Sequence, residues 1–83
     1  MFSILYTPRA LANFKKIPHQ WQKRIARMID PLATNPYAGK RLQGNLAGQF
    51  SLRVWPYRVI YIIKKQEIIV VILDVRHRQN AYK

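Results

Sequence analysis

Arginine, histidine and tyrosine crowd the end of this sequence. Arg76-His77-Arg78 follows Asp74 and Val75, and Tyr82 comes four positions later. Arginine offers a planar fork to a phosphate, histidine moves a proton near neutral pH, and tyrosine stacks on a base or donates a proton when its pKa is lowered. Those are the roles that phosphodiester cleavage by a neighbouring 2′-hydroxyl demands: the nucleophile loses a proton, the phosphorane gains negative charge, and the 5′-oxygen leaves with a proton. Two more arginines, Arg53 and Arg58, flank the short stretch 55–57. If that stretch turns the chain, they become cross-strand neighbours. Like charges so opposed destabilise unless an anion sits between them. The same residues admit a plainer account, in which the arginines splay to opposite faces and the tail is a solvated basic terminus. No carboxylate is placed by the sequence to act as a base.

The overall charge favours an anionic partner. Fifteen Lys and Arg stand against three acids, Asp30, Glu67 and Asp74, a formal net charge of +12. Counterion release makes such a surface bind phosphate backbones, and an acidic protein would relieve its self-repulsion. The chain has no cysteine, which excludes thiolate metal sites and cysteine nucleophiles. Its apolar stretches fall short of the roughly 20 residues that span a bilayer, and residues 1–6 are too short and uncharged for a secretion signal. A soluble, cytoplasmic protein with no membrane partner is expected.

The elements that must carry these groups follow from pattern. Eighty-three residues make one domain, 1–83, and 49% hydrophobic residues suffice for a core without disulfides. Residues 2–6 read as a strand, and Thr7-Pro8 as the N-cap and first position of a helix of about ten residues. Leu11 and Phe14 share its inner face, and Pro18 interrupts it. From His19 onward Trp21, Ile25, Met28, Ile29 and Leu32 form the apolar stripe of a second helix, which Asn35-Pro36 stops. Residues 37–48 hold three glycines and read as a long loop, basic at Lys40 and Arg41. Segments 49–54, 57–63 and 68–75, rich in β-branched and aromatic residues, predict a three-stranded antiparallel meander, the last strand central.

The series Asn35-Pro36, Leu42-Gln43-Gly44, Leu52-Arg53-Val54, Tyr57-Arg58-Val59-Ile60-Tyr61, His77-Arg78 and Ala81-Tyr82 resembles, in order and spacing, the RelE/ParE superfamily of toxins along the whole chain. The resemblance implies an α+β fold in the order β-α-α-β-β-β, a helical hairpin packed on an antiparallel sheet, RelE-like and akin to the microbial ribonucleases. By the same resemblance Arg58 contacts the scissile phosphate, Arg78 is the arginine of the terminal pair, Tyr82 stacks on a base or transfers a proton, and His77 holds the usual histidine position. Arg53, Lys40, Arg41 and Arg76 would bind substrate. Three departures stand out: Trp55-Pro56 replaces a small residue and glycine, Arg76 replaces a glycine, and Gln49 and Ser51 are neutral where some members carry lysines.

The implied function is that of a type II toxin, an endoribonuclease (mRNA interferase). It would cleave mRNA on the ribosome by 2′-OH transesterification without metal or other cofactor, and so inhibit translation. The implied partners are mRNA, the ribosome and an acidic RelB-like antitoxin, through which the pair would bind operator DNA. The alternatives are a ParE-type inhibitor of DNA gyrase, which has lost the catalytic set, and a basic nucleic-acid-binding module.

Overall fold

The computed structural model describes residues 1–78. The chain opens with strand β1 (Ser3–Tyr6), and Thr7 then caps helix α1 (Pro8–Lys15) through its hydroxyl, which accepts from the Ala10 N–H at 3.1 Å. That hydroxyl also donates to the Leu73 carbonyl at 3.0 Å, so the cap ties the helix to the last strand. Pro18 starts helix α2 (His19–Ile29), its carbonyl accepting from the N–H groups of Trp21 and Gln22. Gln22 closes the hairpin, donating its side-chain amide to the carbonyls of Phe14 and Ile17 at the open end of α1.

Two apolar positions depart from expectation. Ala10 and Phe14, four apart, face the core while Leu11 is exposed, and Met28 is exposed beside the buried Ile25 and Ile29. The α-helix also ends earlier than Asn35-Pro36. Pro31 lacks an N–H for the Arg27 carbonyl, and the chain tightens into a 3-10 turn over Asp30–Ala33.

The stretch 37–48 is more ordered than a loop. It contains a two-residue strand, β2 (Lys40–Arg41), which pairs antiparallel with β3 (Gln49–Val54). Then come β4 (Tyr57–Lys64) and β5 (Ile69–His77), the latter beginning after Ile68, whose φ of 57° keeps it out of the strand. The sheet order is β1-β5-β4-β3-β2. The α+β class and the central place of β5 are as the sequence implied, but the sheet is mixed, because β1 runs parallel to β5.

One face of the sheet meets the helices. Phe50, Leu52, Val54, Val59, Tyr61, Val70, Ile72 and Val75 pack there against Ala10, Ile17, Ile25, Ile29 and Leu32. Tyr61 is fully buried, donating its hydroxyl to the Pro36 carbonyl at 2.8 Å and accepting from the Gly39 N–H at 2.9 Å. These two bonds fasten residues 36–39 to β4 and so deliver β2 to the sheet edge. A Cβ at Gly39 would lie 2.5 Å from the Tyr61 hydroxyl and 3.0 Å from the Ser51 carbonyl oxygen, so only glycine permits this approach. Tyr61→Phe is expected to cost about 1–2 kcal/mol by stranding both partners, and Gly39→Ala about 1–3 kcal/mol by overpacking. Urea denaturation of each variant checks both values.

Candidate functional site

The face of the sheet opposite the core carries the charge, with the start of α1 along its edge. Arg53 of β3 pairs directly with Arg58 of β4, and Arg58 with Arg76 of β5. Residues directly opposite in neighbouring strands share a face, so three arginine side chains rise from one cross-strand row. Arg53 is exposed, and Arg58 and Arg76 are half-buried. The next row reads Lys40, Ser51, Ile60 and Asp74. Between the rows Lys40, Ser51, Arg53 and Arg58 line a shallow groove of about 420 Å³, floored at one end by Gly39.

The third arginine joins the row because β5 is irregular. Ile60 pairs with Asp74 but Tyr61 pairs with Ile72, leaving Leu73 as an extra residue. Val70 and Ile72 point into the core, and strict alternation would send Asp74 and Arg76 there as well. The bulge reverses the phase, so that Val75 enters the core and Arg76 turns outward.

Asp74 anchors Arg76. Its side chain is 3% exposed and accepts from the Arg76 Nε at 2.7 Å, the Asn13 Nδ2 at 2.6 Å and the Val75 N–H at 2.8 Å. Arg9 stands 3.4 Å away. Burial pushes the carboxyl pKa up, but the hydrogen bonds from Arg76, Asn13 and Val75, with the Arg76 charge, outweigh it and hold the group below its ordinary 3.8.

Other residues singled out in the sequence lie elsewhere. His77 pairs with Tyr57, and the two rings meet edge to face at 5.4 Å; Tyr57 in turn meets Trp21 at 6.2 Å. That chain of aromatics borders the core face, so His77 and the arginine row project from opposite sides of β5. Arg41 lies over the Phe50 ring at 5.6 Å and is likewise turned from the Lys40 face. Arg78 follows the end of β5, its N–H donating to the Pro56 carbonyl at 2.7 Å. Tyr82 lies outside the described residues. Asn13, Asp74 and Gln22 were not singled out as partners; Asp74 was visible as one of three acids in a basic chain, and nothing in the sequence marked Asn13 or Gln22. Among the described residues no group of three or more His, Cys, Asp or Glu could hold a metal ion, and no helix is long and apolar enough to cross a membrane.

Comparison with known proteins bears on what this face serves. The family model of the ParE toxin of type II toxin–antitoxin systems (parDE) matches residues 4–82. The chain belongs to this toxin family. Toxin RelG of Mycobacterium tuberculosis is 32% identical over 84 residues, covering 99% of this chain and 97% of that protein. The toxin–antitoxin complex RelBE2 of the same organism contains a chain with 33% identity and a TM-score of 0.86, over 93% of this chain and 98% of that one. The intact RelBE complex of Escherichia coli shares the fold, at a TM-score of 0.81 and 13% identity over 93% and 96% of the two chains. Membership of the RelE/ParE superfamily, which the motif order implied, therefore stands.

In this ParE-family toxin the Asp74 contacts should make stability depend on acid. The folded carboxyl has the lower pKa, so its contribution is complete above the ordinary carboxylate range and is lost as pH falls below 3.8 toward the folded value. Asp74→Asn is expected to cost about 1–3 kcal/mol at pH 7, with wild type and variant converging at low pH. Urea midpoints measured from pH 7 to pH 2.5 check this; a constant difference would show that the charge is not what matters.

Proposed function

We propose that this toxin is an endoribonuclease that cuts mRNA, engaged on the ribosome in the cytoplasm, and thereby stops translation. The observation that carries the reading is the cross-strand row Arg53, Arg58 and Arg76 on an open face. Arginines at directly opposed positions repel, and an oxyanion that gathers their head groups removes that cost. In the proposed reaction the 2′-hydroxyl oxygen attacks the adjacent phosphorus, its proton passes to a base, and the bond to the 5′-oxygen breaks as that oxygen takes a proton. The products are a 2′,3′-cyclic phosphate and a free 5′-hydroxyl, formed without a metal.

Arg58, central in the row, binds the scissile phosphate and stabilises the charge on the phosphorane. Arg53 and Arg76 hold it from either side, Lys40 binds a flanking phosphate, and Arg78 supplies charge at the strand end; Arg41, over the Phe50 ring on the other side of β2, is not placed to join them. Proton transfer and stacking fall to Tyr82; His77, singled out for proton transfer by the sequence, meets Tyr57 on the other side of β5 and is not placed to serve the phosphate at the row. The inhibitor is an acidic antitoxin, the counterpart of the antitoxins in the complexes that share this fold, and the pair binds operator DNA through it.

Incubation of the purified protein with translating ribosomes, followed by mapping of mRNA ends, tests the reading. Arg58→Ala and Arg78→Ala should each lower single-turnover cleavage by about 10²–10³-fold, while Lys23→Ala on the polar side of α2 stays within a few-fold of wild type. The family also holds gyrase inhibitors. On expression without antitoxin, failure of DNA replication while amino-acid incorporation persists would replace the nuclease reading with that one. A further expectation concerns the partner: with +12 on the toxin, association with an acidic antitoxin should slow at least about ten-fold between low and high salt. Stopped-flow mixing checks it, and a salt-independent rate would sink the electrostatic account.

A further inference from the structure

Trp55 stands at the tip of the turn between β3 and β4, with 47% of its surface exposed. Two guanidinium groups lie over its ring, Arg53 at 5.1 Å and Arg78 at 4.9 Å from the centroid. The N–H of Arg78 is bonded to the Pro56 carbonyl, which fastens the strand end to the turn, and Arg53 is also the β3 member of the arginine row. One side chain thus touches both the phosphate-binding row and an open aromatic surface. Nothing in the core needs an indole at this position, because Trp55 lies outside the apolar cluster and its neighbours there are cations.

We propose that Trp55 is a stacking platform for one nucleobase of the single-stranded RNA whose phosphates lie along the Arg53–Arg58–Arg76 row. A guanidinium resting on an exposed ring is weakly held, whereas its charge-assisted bond to a phosphate is strong. An arriving strand therefore draws the arginines off the indole, and the vacated ring takes the base. Stacking on an aromatic face serves every base, so the platform adds affinity with little sequence preference. Because Arg53 is within reach of both ring and row, the stacked base and the bound phosphate belong to the same or adjacent nucleotides. The inference deepens the proposed function and rests on its assignment of RNA as the ligand.

The test is binding of a short 2′-O-methyl oligonucleotide, which cannot react through its 2′-oxygen, compared with the same strand made abasic. Wild type should bind the intact strand at least about ten-fold more tightly than the abasic one. Trp55→Ala should lose that preference by weakening only the intact strand, and Trp55→Phe should keep most of it. With Trp21→Phe as background, the emission of Trp55 should be quenched by the intact strand and much less by the abasic one. Equal weakening of both strands by Trp55→Ala would mean that the indole merely holds the arginines, and would overturn the proposal. So would a wild type that does not distinguish the strands. Ribosome-dependent mRNA cleavage is a separate readout. If cleavage is found and base-dependent binding is not, the platform alone fails; if base-dependent binding is found without cleavage, the nuclease reading alone fails.

Discussion

Between Ile60 and Tyr61 the register of β4 against β5 slips by one residue, and the chemical character of the sheet depends on that slip. Side chains on a strand alternate with a period of two, so one extra residue exchanges the faces of everything that follows it. Without Leu73 as the extra residue, Val75 would meet solvent and Asp74 and Arg76 would be driven in beside Val59 and Tyr57. Burying those charges in an apolar core is far costlier than a local break in the ladder. With it, Val75 completes the core and Arg76 comes level with Arg58. The extra residue of the bulge, Leu73, is the one whose carbonyl receives the Thr7 hydroxyl. The start of α1 and the irregular point of β5 are therefore one joint, and Asn13, nearly two turns along α1 from Thr7, reaches Asp74 next to it.

Given that phase, electrostatics governs the outer face. Asp74 neutralises Arg76 from below and fixes its direction, and Trp55 draws Arg53 and Arg78 toward the turn. Both devices spread positive charge that would otherwise be concentrated around Arg58. Neither removes it: an exposed indole offers only a quadrupole, and one carboxylate cannot balance a chain of +12. The surface remains one that an anionic ligand stabilises.

Much of this was legible in the sequence. The Thr7-Pro8 helix start, the strand at 49–54 and the pairing of Arg53 with Arg58 rest on local chemistry, and local chemistry survives in the fold. The parts that were not legible depend on distant residues. A two-residue strand at Lys40–Arg41 has no periodicity to detect; it is delivered to the edge because Tyr61 of β4, two strands in, grips Pro36 and Gly39. Met28 fits a helical stripe by spacing, yet among the described residues no element covers it. The tail reads as a cluster of Arg76, His77 and Arg78, but a strand separates neighbours onto opposite faces. His77 accordingly meets Tyr57 while Arg76 meets Arg58. Arg76, where relatives of this pattern carry glycine, was a departure in the sequence and is the third member of the row in the fold.

The openness of the groove has a consequence for catalysis. Preorganised cations stabilise a developing phosphorane strongly only where water is excluded; beside solvent the effective dielectric is high and the same charges are worth little. Here Arg53 is exposed and Arg58 and Arg76 are only half-buried, so the isolated protein offers binding charge without a dry site. A second surface is needed to close over the row, exclude water and hold the strand in line with its 2′-oxygen. In the proposed reaction the ribosome supplies that surface, because an mRNA threaded through it arrives already extended and backed by RNA and protein. On that proposal the isolated toxin binds RNA and cuts it slowly, and no change of shape in the toxin itself is invoked.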